Sequence, residues 1–178
     1  MSPPDLIVQI PALRRYARAL TGDAWAADDL VQDTLERACG KWRLWAVGSD
    51  LRAWLFTLMH NLHVSGVRQS LRRSAALPLV DIDDAAEPAA PDAAQDLALD
   101  LQRCLLRLPE EQRAVLLLVS LEDMSYEQVA RITGTPIGTV MSRLSRARTR
   151  LQALMDAPAT SARADAASPP APHLKRLK

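Results

Sequence analysis

A chain of 178 residues with 48% hydrophobic content can build one domain or two small ones. Its net charge of +1 hides a segregation: Arg68, Arg72 and Arg73 precede Asp81, Asp83, Asp84, Glu87, Asp92, Asp96 and Asp100, with no basic residue until Arg103. The two cysteines, Cys39 and Cys104, lack C-x-x-C spacing and argue against a zinc site or a disulfide framework.

Nearly every patterned segment shows helical spacing and none alternates like a strand, which predicts an all-α chain. The expected organisation is a helical block over residues 6–73, a flexible acidic linker over 74–95, a second helical block over 96–156 and a disordered tail over 157–178. The N-terminus lacks a basic region followed by a long apolar run, and no stretch approaches the roughly 18 to 20 apolar residues of a membrane span. No membrane insertion and a cytoplasmic location are therefore expected.

In the first block, DDLVQDTLERACGKW sets Val31, Leu35, Ala38 and Trp42 on one helix face. Asp29, Gln32, Asp33 and Glu36 gather on the opposite face, which DNA phosphates would repel and which suits either a basic protein or solvent. Six of the seven aromatic residues lie here: Tyr16, Trp25, Trp42, Trp45, Trp54 and Phe56. They suit a small core, with Trp42 and Phe56 its firmest members, and they also suit a single-strand binder that stacks bases beside arginines. His60 and His63 share a helix but have no carboxylate or cysteine ligand near them in sequence, so no metal or cofactor is expected.

The linker and the tail are rich in Ala and Pro, the linker also in Asp, and neither has the periodicity to bury apolar surface. The linker is expected to let the two blocks sit apart. In the second block Leu97, Leu101, Cys104 or Leu105, and Leu108 form an apolar stripe, and both cysteines are expected in a core. Pro109 marks a boundary, Glu110 and Glu111 suit the positive end of the next helix, and the run from Val115 to Val119 predicts a buried one.

The segment SYEQVARITGTPIGTVMSRLSRARTRL then reads as helix, tight turn and helix. Ser125 and Gln128 can form a capping box, Ala130 and Gly134 can let helices cross closely, Thr135 can cap the second helix and Pro136 can start it. Val140, Leu144, Ala147 and Leu151 face the core, while Ser142, Ser145, Arg146 and Thr149 face outward. Arg143 and Arg150 flank that outer face on one side and Arg148 on the other, with Met141 at its edge. This is how a major-groove reader is built: short polar and Arg side chains for base edges, flanking arginines for phosphates.

Taken together, DLVQDTLERA, RAWLFTLMHNLHVSGVRQ, LPEEQRAVLLLVSLEDMSYEQVA and IGTVMSRLSRARTRL resemble, in order and spacing, the extracytoplasmic-function group of bacterial RNA polymerase sigma factors. The resemblance covers about Leu13 to Leu154. It implies a sigma-2-like domain over 6–73 for core polymerase binding, minus-10 recognition and melting, and a sigma-4-like domain over 96–156 for the minus-35 element. Asp29, Gln32, Asp33 and Glu36 would then meet the polymerase β′ clamp helices, with the β flap as a further core contact. Lys41 to Ala53 would match the loop that receives a flipped base, and Trp45, Trp54, Asn61, Arg68, Arg72 and Arg73 would serve the minus-10 strand.

Thr139, Met141, Ser142, Arg143, Ser145, Arg146, Arg148 and Arg150 would serve the minus-35 duplex. The linker would thread the polymerase cleft toward the RNA exit path. The resemblance also implies an inhibitory anti-sigma factor as a partner. The departures are Met141, where a basic residue is frequent, Ser65, where an Asp is frequent, and Gly66 within a helix.

Two other functions fit the sequence less well. A stand-alone helix-turn-helix regulator would show an apolar self-association seam; none stands out, and a monomer is expected when the chain is free. A nuclease or recombinase would need carboxylates on a rigid scaffold, and those of the linker have none. No enzymatic activity and no catalytic residue are therefore expected.

Overall fold

The helical spacing of the sequence is realised in seven α-helices, and no strand occurs among the described residues. The computed structural model describes residues 4–41, 50–76 and 93–156. The helices are α1 Pro4–Thr21, α2 Ala24–Gly40, α3 Leu51–Ala76, α4 Ala93–Leu106, α5 Glu110–Ser120, α6 Tyr126–Thr133 and α7 Ile137–Asp156. α3 and α4 thus each run a little way into the expected linker. The rest of that linker, Trp42, Trp45 and the tail lie outside the described residues.

In α1, Leu13, Tyr16, Ala17 and Leu20 recur at the spacing of one helix face and are all fully buried. Gly22 turns the chain with a φ of 76°, which a side chain would make strained. Asp23 then caps α2, accepting from the backbone N–H of Ala26 at 2.8 Å and of Trp25 at 3.4 Å. α2 buries Ala27, Leu30, Val31, Thr34 and Ala38 against α1 and α3. Leu55, Phe56, Leu58 and Met59 of α3 complete this unit, with the Phe56 ring edge-on to Tyr16 at 5.2 Å between centroids.

The second unit is organised by α5, whose residues Ala114 to Leu118 are all buried because α6, α7, α4 and α1 surround it. Only the C-terminal half of the expected α4 stripe is covered: Leu105 and Leu108 are buried, whereas Leu97 and Leu101 are exposed. The two cysteines are not core residues, since Cys39 is exposed and Cys104 half-buried. Ala38 and Leu105 hold the buried positions, and the adjacent cysteine lies about 100° around each helix.

The blocks do not sit apart. α1 packs on α4 and α5, and α3 packs on α6, so the buried residues of both units form one continuous cluster. Part of the reason is apolar, but the contact is also held by charge: Glu122, in the turn between α5 and α6, is buried against two arginines of the first unit. Nothing in the pattern around LEDMS marks Glu122 as buried. Its burial exists only because α1 and α3 bring their arginines to it.

Candidate nucleic-acid and polymerase interface

The helix-turn-helix forms around the local signals expected of it. Ser125 Oγ accepts from Gln128 N at 3.2 Å and Gln128 Oε1 accepts from Ser125 N at 2.9 Å, which closes the capping box. Gly134 ends α6 with a φ of 64°, in the left-handed region. A methyl group there would meet nothing within 4 Å, so its value is conformational and it does not serve a close helix crossing. Thr135 is not the cap of α7. Its hydroxyl bonds to that of Thr133 at 2.8 Å, and the Pro136 carbonyl accepts the first helical bonds of α7, from the N–H groups of Thr139 and Val140.

α7 places its residues as the spacing predicts. Val140, Leu144 and Ala147 are buried and Leu151 is half-buried, while Met141, Ser145, Arg146, Arg148, Thr149 and Arg150 are exposed. Ser142 is half-buried and donates to the Thr139 carbonyl at 3.0 Å. Arg143 departs from the expected phosphate-facing role, because its guanidinium is paired with Glu111 of α5 and is largely covered.

On α2, Asp29, Gln32, Asp33 and Glu36 are all exposed, with Gln32 donating to Glu36 at 3.1 Å. Trp25 is 84% exposed and is not core, because at the start of α2 it falls on the same face as Asp29, Gln32 and Glu36. The two units therefore present opposite signs: an acidic α2 face on one, an arginine-rich α7 face on the other.

α3 carries the remaining candidates. Asn61, Arg68 and Arg72 are exposed, Trp54 is half-buried against the core, and the Arg73 side chain is outside the described residues. Asn61 and Arg68 do not face open solvent alone. With Arg143, Glu110, Glu111 and Thr135 they line one cavity of about 530 Å³ between α3 and the second unit.

The histidines of α3 sit at the same seam. His63 Nε2 lies 3.4 Å from Glu110 Oε1, a carboxylate that sequence proximity could not supply. Burial, aided by Arg113 and His60, pushes His63 down to about 4, so at neutral pH it is uncharged and the contact is not an ion pair. Burial likewise lowers His60 and raises Glu110. No group of three potential metal ligands occurs among the described residues.

The fold and these faces are those of a two-unit helical DNA-binding protein whose second unit presents a helix-turn-helix suited to duplex DNA. Residues 6–60 match the family described as the Sigma2 domain of PhyR, and residues 98–151 match Sigma-70, region 4. The chain is 38% identical over 158 residues to the ECF RNA polymerase sigma factor EcfG of Rhodopseudomonas palustris (strain TIE-1), covering 85% of this chain and 83% of that protein. It is 36% identical to the ECF RNA polymerase sigma factor SigM of Mycobacterium tuberculosis (strain ATCC 25618 / H37Rv), covering 80% and 71%.

Among solved structures, the sigma factor RpoE in complex with the anti-sigma factor NepR, from Bartonella quintana, superposes with a TM-score of 0.76 at 39% identity, covering 87% of this chain and 96% of that one. CnrH in complex with the cytosolic domain of CnrY gives 0.63 at 26%, covering 86% of each. The chain belongs to the extracytoplasmic-function RNA polymerase sigma factors. It is a transcription initiation factor that directs RNA polymerase to promoters. No described helix is long and apolar enough to cross a membrane.

Proposed function

We propose that the two units, approximating residues 6–73 and 96–156, divide this task between oppositely charged faces. The exposed carboxylates of α2, Asp29, Asp33 and Glu36 with Gln32, dock on a basic helical surface of the polymerase β′ clamp, and the second unit engages the β flap. In α7, Met141, Ser142, Ser145 and Arg146 read base edges of the minus-35 duplex, while Thr139, Arg148 and Arg150 hold phosphates. Arg143 joins them only after releasing Glu111. On α3, Asn61 reads the minus-10 strand, Trp54 supports it, and Arg68, Arg72 and Arg73 hold its backbone; Trp45 contributes to the same recognition.

The observation that carries this reading is the segregation of charge, with an exposed acidic stripe on α2 and outward-facing arginines on α7. A stand-alone DNA reader has no use for a stripe that phosphates repel. The complex of RpoE with the anti-sigma factor NepR supports an anti-sigma factor as a further partner of this chain. We assign no bond chemistry to it, and place it in the cytoplasm with its polymerase.

The test is Asp29→Lys with Asp33→Lys, measured by binding to purified core polymerase and, separately, to minus-35 duplex. Core affinity is expected to fall at least about tenfold, a loss of roughly 1.4 kcal/mol, with duplex affinity retained. Unchanged core affinity would remove α2 from the interface.

A further inference from the structure

Glu122 is the only fully buried carboxylate among the described residues, and its charge-bearing partners come from the other unit. Arg15 of α1 donates Nε to Oε1 at 3.1 Å and Nη2 to Oε2 at 3.0 Å. Arg52, in the first turn of α3, donates Nη2 to Oε2 at 2.7 Å and to the Glu122 carbonyl at 2.9 Å. The Arg52 guanidinium is also seated over the Phe56 ring, 5.7 Å from its centroid. Two further struts run beside this cluster. Gln128, already in the capping box, donates to Asp50 at 2.7 Å, and Gln102 donates to the Ala19 carbonyl at 3.2 Å.

A buried carboxylate is tolerated only where donors replace its water, and removing a donor leaves it strongly destabilised. Separating the two units, by contrast, would return Glu122, Arg15 and Arg52 to water together. An interface built this way closes firmly yet comes apart without stranding a charge in either half, which suits a contact that must reverse.

The closed arrangement is incompatible with reading a promoter. Elements at minus 10 and minus 35 lie about 25 base pairs apart, roughly 85 Å at about 3.4 Å per pair. Here Asn61 of α3 and Arg143 of α7 line the same cavity, and α5 and α7 wall the side of α3 that carries Asn61 and Arg68. The sixteen residues between α3 and α4 could span at most about 55 Å, enough to let the units part.

We propose that the Arg15–Glu122–Arg52 cluster is a latch that holds the free chain closed and shields α3 from the minus-10 strand until the units separate. The proposal rests on α3 being the minus-10 reader.

The test uses the full chain with spin labels at Cys39 and at Gln152→Cys, in a Cys104→Ser background, and measures the distance between labels. The unlatched variants are Glu122→Gln and Arg15→Gln, the second a change on a half-exposed side chain; circular dichroism checks that both stay helical. A single short distance is expected in the parent, and a broad population longer by about 20 Å or more in both variants. Affinity for a single-stranded minus-10 oligonucleotide is expected to rise about fivefold or more as the competent state becomes populated.

Unchanged distances in both helical variants would overturn the latch, and this readout needs no DNA. A longer distance with unchanged strand affinity would overturn the shielding of α3. The α3 assignment is checked separately: if the parent bound to core polymerase does not protect the minus-10 strand through Asn61, that assignment fails and the latch does not.

Discussion

Replacing His63 by Leu should flatten the acid dependence of stability. His63 titrates at about 4 in the fold, against 6.5 in the unfolded chain, chiefly because α5 and α3 bury it; Arg113 and His60 add repulsion. Glu110, 3.4 Å from its Nε2, is the carboxylate beside it. Because the folded value is depressed, the unfolded chain binds the proton first. Stability therefore falls as pH drops through 6.5 and the loss is complete below about 4. The gap corresponds to a ceiling of roughly 3 kcal/mol at about 1.36 kcal/mol per pH unit, and the residual solvent access of the ring reduces this to about 2 kcal/mol.

Glu110 acts in the opposite sense. Its raised carboxyl keeps a proton to higher pH in the fold, so its contribution favours the folded state in acid and is lost as pH rises. His63→Leu removes the first dependence and leaves the second. Urea unfolding at pH 7.5 and 4.5 should show the parent losing about 2 kcal/mol more than the variant between the two. If both lose the same amount within about 0.5 kcal/mol, His63 is not held neutral by burial and the reasoning fails.

Ser125→Ala removes the acceptor of the Gln128 N–H at an exposed helix start and should destabilise the second unit by about 1 kcal/mol in thermal or urea unfolding. Arg146→Ala should weaken binding to minus-35 duplex by about 1 to 3 kcal/mol and relax preference at one base pair, read by competition among altered sites. A loss spread evenly over all sequences would instead make Arg146 a phosphate contact.

Local signals in the sequence were legible because they depend on neighbours along the chain. The capping box at Ser125, the left-handed Gly134 and the buried face of Val140, Leu144 and Ala147 each follow from spacing within two helical turns. The acidic face of α2 was legible for the same reason. What was not legible arises from distant pairings. Glu122 is 70 residues from Arg52 and 107 from Arg15, and Arg143 finds Glu111 32 residues away. Thr135 illustrates a nearer failure, since its hydroxyl is paired with that of Thr133 and leaves the start of α7 uncapped by it. Trp25 shows that an aromatic residue in a core-like region is exposed when its helix turns it to the acidic face.

The decisive measurement is transcription in vitro with purified core polymerase and a genomic promoter library. Core polymerase is expected to open a restricted set of promoters only when this chain is present, and Asp29→Lys with Asp33→Lys is expected to abolish the opening. Failure to open any promoter with core present, or equal selection of the same sites by the chain without core, would contradict it.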